Sequence, residues 1–193
     1  MKKAFLLITI LFCCVFSVVA QEQIEREEYD VYNAVFGDDS YQHVIFNFTA
    51  LTELNPASKF IRKLLRQELS IVKPDTLKSF NNRNEKSFEL KDEFGRQPTV
   101  KLVNNEDMQP FLEMIKKDND NEIAVQNAFL EKYGSMGLVT LSRVGFNKSK
   151  TQALVLLSNS AGFCGTCNES YYVVLSKENG RWEIKKKVMP AIN

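Results

Sequence analysis

LVTLSRVGFNKSKTQALVLLSNSAGFCGTCNESYYVVLSKENGRWEIKKKV, residues 138–188, is where the apolar period of the chain turns to two. Four runs, Leu138–Phe146, Thr151–Ser158, Tyr171–Ser176 and Arg181–Val188, are rich in β-branched and aromatic residues and are separated by turn residues. That is the pattern of consecutive strands. Asn179-Gly180, between the last two, tolerates the positive φ of a tight hairpin turn. Ala153-Leu154-Val155-Leu156-Leu157 is apolar on both faces and belongs at the centre of a sheet. In the last run Trp182, Ile184 and Val188 alternate to one face, and Arg181, Glu183, Lys185 and Lys187 to the other. The lysine run therefore reads as the solvated side of a strand, and the whole stretch as a four-stranded antiparallel meander.

Upstream the period is mostly helical. Ile24, Glu28, Val31, Tyr32, Val35 and Phe36 fall at three-to-four spacing with one polar break, predicting a helix over 23–36 that Gly37 ends. Residues 43–49 read as a strand, and Asn55-Pro56 opens a second helix carrying Phe60, Ile61, Leu64, Leu65 and Leu69. Asp75 caps a short third helix with Leu77 and Phe80; residues 81–87 read as loop, and strands are expected at 87–91 and 98–103. Asp107 caps the next helix, placing Pro110 in its first turn, and a last helix covers 121–133. The expected fold is α+β, a helical N-terminal half packed on an antiparallel sheet dominated by the C-terminal meander, in a single domain over residues 21–193.

The first twenty residues stand apart. Lys2 and Lys3 precede an apolar run from Ala4 to Val19, and Val18-Val19-Ala20 is a small-residue cleavage site before Gln21. This is the layout of a secretory signal peptide at 1–20, cut between Ala20 and Gln21, in a compact form that looks bacterial. The expectation is a periplasmic or extracellular protein with no membrane span after cleavage. Cleavage leaves 173 of the 193 residues, with 23 basic against 24 acidic side chains and a formal charge of −1. So nearly neutral a chain offers no electrostatic footprint to nucleic acid, which is excluded as a partner.

Two of the four cysteines, Cys164 and Cys167, survive cleavage, in Phe163-Cys164-Gly165-Thr166-Cys167. A thioredoxin-type pair needs its first cysteine at a helix start, where the helix dipole lowers the thiolate pKa. Here the pair lies between two strand-like runs, at a hairpin tip. In an oxidising compartment the first reading is a local disulfide, ahead of free or metal-bound thiols and of an exchanging pair. A closed Cys/His metal site is short of ligands, because His43 is the one histidine. No metal or cofactor is expected: Asn168 stands where covalent haem wants a histidine, and no Gly-rich phosphate loop is present. His43 is also the one candidate base for a catalytic triad, and it lies in an apolar run that suits a core or edge residue.

Leu141-Ser142-Arg143-Val144-Gly145-Phe146-Asn147, Gln152-Ala153-Leu154-Val155, Tyr172-Val173-Val174-Leu175 and Gly180-Arg181-Trp182 resemble the C-terminal signature of a family of uncharacterised exported bacterial proteins. Glu28-Tyr29-Asp30-Val31-Tyr32 is similar to that family's first helix. The resemblance implies export and a single domain. It implies no activity and carries over no functional residue, so the catalytic residues stay unknown.

Two functional readings follow. The first is a non-enzymatic domain of the cell envelope that binds a protein or small ligand, in a pocket between helices and a curved sheet, with Arg143 as its polar anchor if that side chain points inward. The other reading of Arg143 puts it on the solvated face of its strand. The alternative function is an envelope enzyme, either a thiol-disulfide oxidoreductase using Cys164 and Cys167 or a hydrolase using carboxylates such as Glu89 or Asp92.

Overall fold

A computed structural model of the chain describes residues 23–37, 42–51, 67–95, 99–117, 122–135, 137–161 and 168–189. Helix α1 (Arg26–Phe36) starts where Glu28 reaches back to the Glu25 N–H at 3.1 Å. It stops at Gly37, whose φ of 68° lets its N–H turn back to the Asn33 carbonyl. Strand β1 (Gln42–Phe46) follows, then α2 (Pro74–Arg83), β2 (Thr99–Val103), α3 (Asn105–Lys117) and α4 (Glu122–Tyr133). The chain ends in β3 (Gly137–Leu141), β4 (Gly145–Phe146), β5 (Gln152–Ala161), β6 (Asn168–Glu178) and β7 (Arg181–Val188). The expected helix from Asn55 falls outside the described residues, apart from a helical Gln67-Glu68.

The fold is α+β, but the sheet is mixed. Its order is β2-β1-β3-β5-β6-β7, with β4 paired to β5. The meander β3-β5-β6-β7 is antiparallel, whereas β1 is parallel to both β2 and β3. This corrects the purely antiparallel sheet expected from the sequence, and β1 and β2 also interrupt the helical first half. Parallel neighbours need long crossovers, and the helix-bearing segments between β1, β2 and β3 supply them.

Both sheet faces are covered. Odd-numbered Ala153, Val155, Val173 and Leu175 pack with Tyr29, Tyr32 and Val35 of α1 and with Trp182. Even-numbered Leu154, Tyr172 and Val174 pack with Phe80 of α2 and with Leu69, Val72 and Val188. Farther along that second face, Val44 and Val103 meet Met108 and Phe111 of α3 and Val125, Phe129 and Tyr133 of α4. Strand β5, buried at Ala153, Leu154 and Val155, runs through the middle. Gly145 belongs where α2 crosses: a Cβ there would stand 2.4 Å from Phe80 Cβ and 2.5 Å from its Cα.

Several local expectations change. Leu138–Phe146 is two strands, because Arg143 and Val144 leave the ladder, while Ser142 keeps an isolated bridge to Ala50. The 87–91 segment contributes one bridge, Phe48 to Glu89. Lys73 rather than Asp75 is the N-cap of α2, with Pro74 in the first turn, and the helix runs on through Arg83. Helix α3 is capped reciprocally by Asn104 and Asp107, each side chain accepting the other's N–H at 3.0 Å, so Pro110 lies inside the helix.

The largest revision is in β7. Val174 pairs with Lys186 but Leu175 pairs with Ile184, leaving Lys185 as an extra residue in a bulge. One extra residue inverts the alternation beyond it. Trp182 is therefore buried on the α1 face and Val188 on the α2 face, not together. Lys187, opposite Val173, turns to the α1 side.

Candidate functional site

Arg143 points inward, 1% exposed, and meets Glu28, which is fully buried. Its Nε donates to both Glu28 oxygens at 3.2 and 3.0 Å, and its Nη2 donates to Oε1 at 2.7 Å. The Val144 N–H and Arg83 Nη1 each add a bond to Glu28 at 2.9 Å. Phe88 lies under the Arg143 guanidinium, 4.4 Å from ring centroid to Cζ. Outside this core Glu25 pairs with Arg83 and, at 2.7 Å, with Lys150.

The backbone around Arg143 is fixed as firmly. Asn84 accepts the Arg143 N–H at 2.7 Å and donates to its carbonyl at 3.0 Å. Ser142 Oγ accepts the Leu156 N–H, and the Tyr32 hydroxyl donates to the Ser142 carbonyl. Burial, and then the Glu28 charge, push the Tyr32 hydroxyl well above the usual tyrosine range, so it stays a donor. Buried charges persist only when paired and hydrogen-bonded, and these are. The cluster fastens α1 to the β3–β4 turn and to α2. Its sequence signal was the polar break at Glu28 in an otherwise apolar helical stripe.

Beside the other end of α1 lies a cavity of about 240 Å³. Its floor is the odd face of the sheet, with Val139 on β3, Leu157 and Asn159 on β5, and Tyr171 and Val173 on β6. Val35 and Phe36 form one wall, and His43 and Lys187 complete the lining. Phe36 and His43 pack with ring centroids 4.5 Å apart. The Tyr171 hydroxyl donates to Glu169 at 2.7 Å; that bond, with some desolvation, raises its pKa. Asn159 Oδ1 is shut off from solvent and has no hydrogen-bond partner.

Of the residues singled out in the sequence, His43 lines this cavity, whereas Arg143 belongs to the Glu28 cluster and is not among the lining residues. Glu89 and Asp92 are exposed. Ala20, Gln21, Cys164 and Cys167 lie outside the described residues, although the strands flanking the cysteines, β5 and β6, are antiparallel neighbours. Among the described residues, no group of three or more His, Cys, Asp or Glu side chains is placed to hold a metal ion, and no helix is long and apolar enough to cross a membrane. Lys187, Asn159 and Tyr171 were not singled out. Their signal, side-chain parity, is readable for Asn159 and Tyr171 once pairing is known, but for Lys187 it is hidden by the bulge.

No protein-family model matches the chain, and neither does any curated protein or solved structure.

Proposed function

We propose that the chain is an exported, non-enzymatic binding domain of the cell envelope, and that the cavity beside the C-terminal end of α1 is where its ligand sits. The observation that carries this reading is the cavity's construction. Its floor is hydrogen-bonded strand, one wall is the last turn of a helix braced at its other end by the Glu28 cluster, and a buried Asn159 oxygen lacks a partner. Rigid elements that present a few polar groups in an apolar surround suit recognition.

In this reading Arg143 is a positioning residue that holds α1 in place. Export rests on the basic and apolar leader ahead of Gln21 and on the resemblance of the LSRVGFN segment to exported bacterial proteins. In the same proposal Cys164 and Cys167 are a local disulfide, on the ground of an oxidising compartment.

The test is a thermal-shift and calorimetric screen of the mature chain against envelope peptides, glycans and lipids, run alongside assays for turnover. Saturable binding with no product supports a binding domain. Turnover, or insulin reduction that Cys164→Ser abolishes, would favour the envelope enzyme instead. N-terminal sequencing of the exported protein beginning at Gln21 supports export, and a start at Met1 refutes it.

A further inference from the structure

Resting on the reading of the cavity as a ligand site, we infer that its ligand is a short apolar peptide with free ends, held with its ammonium toward Asn159 and its carboxylate toward Lys187. The sheet register separates the two ends. Asn159 is opposite Val139 on β3 and Glu169 on β6, while Lys187 is opposite Val173, itself opposite Val155. The two residues are thus four positions apart along β5 and two strands apart across it. At ~3.3 Å per residue and ~4.8 Å per strand, their Cα atoms are roughly 16 Å apart. The lysine stem covers part of that span. The remainder, on the order of 10 Å, is two or three residues of extended chain at ~3.4 Å each.

The ends differ in chemistry. Around Asn159 the described residues offer acceptors, beside the Tyr171 hydroxyl that donates to Glu169. Glu169, an exposed carboxylate, faces Asn159 across the strand pair. The last turn of α1 carries no basic residue to offset the partial negative charge of its carbonyls. Val35 and Phe36 bring that turn to this end of the cleft, because Phe36 packs on His43, two residues before Ile45, which pairs with Val139. An ammonium group supplies three donors to such a site.

At the opposite end Lys187 supplies the positive charge. Its neighbours Lys185 and Lys186 are engaged by Glu178 and Glu68 and point elsewhere. Between the ends the floor is Val139, Leu157 and Val173, which takes apolar side chains.

The experiment is isothermal titration of the mature chain with Val-Leu-Ala and with its N-acetylated, C-amidated and doubly blocked forms, while the Asn159 and Tyr171 amides are followed by NMR. The free peptide is expected to bind best. Each block should weaken binding about three- to tenfold, because Glu169 and Lys187 are exposed and their charges screened. In Lys187→Gln, whose altered side chain is exposed, acid and amide should bind alike while the acetylation effect persists. Equal affinity for the doubly blocked peptide overturns recognition of the ends and leaves the cavity as a ligand site. No binding of any peptide, with acyl chains or glycans shifting the same amides, overturns the peptide class. If none of these compounds shifts the Asn159 or Tyr171 amide, the reading of the cavity itself fails.

Discussion

Removing either partner of the buried pair separates a bracing role from incidental burial. Arg143→Met strips three short contacts from Glu28 but leaves it the Arg83 guanidinium and the Val144 and Glu25 N–H groups. Glu28→Gln leaves the opposite problem: Arg143, 1% exposed, and Arg83 then converge on a neutral amide. Breaking a buried ion pair costs about 3–5 kcal/mol because a desolvated charge is left behind. The residual cation places Arg143→Met near the low end, at about 3 kcal/mol, and Glu28→Gln near about 5 kcal/mol. The double replacement Glu28→Gln with Arg143→Met leaves no orphan charge on either partner, so it should cost less than the two single losses together by about 2 kcal/mol or more. Urea unfolding reads this directly. With a slope of about 2 kcal/mol per molar, Arg143→Met should lower the midpoint by about 1.5 M. Single losses under about 1 kcal/mol, or strict additivity in the double variant, would refute the bracing role.

Gly145→Ala would drive a methyl group into the Cα and N of Phe80, backbone atoms that cannot swing aside; a loss of about 3 kcal/mol and a fall of about 10 °C in Tm are expected, and an unchanged Tm contradicts the close approach. Burial works to raise the Glu25 pKa, but hydrogen bonds from Lys150 and Arg83 outweigh it and hold the carboxyl below 4.5 in the folded chain. Its contribution is therefore complete above pH 4.5 and lost as pH falls through the lowered folded value, so Glu25→Gln should flatten the acid limb of stability against pH. Identical acid limbs would contradict that. Deleting Lys185 removes the extra residue of the bulge while keeping every other β6–β7 pair, so it should cost only about 1 kcal/mol by urea unfolding. Loss of folding would show that the bulge itself is required.

The C-terminal strands were legible because alternation of apolar residues needs only local sequence, and Asn179-Gly180 marks its own turn. Pairing partners were not legible. Nothing within Gln42–Phe46 shows that β1 will lie parallel to β2 and β3, because that depends on where the intervening helices pack. The bulge at Lys185 was hidden for a related reason: Trp182, Ile184 and Val188 obey a period of two, and only the ladder with β6 reveals the skipped residue. Glu28 was visible as a polar break, yet its partners are 55 and 115 residues away. A pocket between helices and sheet was expected with Arg143 as its anchor, and Arg143 does not line this cavity. The actual lining was hidden, because Asn159, Tyr171 and Lys187 come together only through register.

The most direct measurement is an amide-shift map of the mature chain titrated with Val-Leu-Ala. Saturable shifts are expected centred on Val35, Phe36, Val139, Asn159 and Tyr171, with the α4 residues Val125 and Phe129 unmoved. Shifts centred on α3 and α4, or none on the floor of the cavity at saturating peptide, would contradict it.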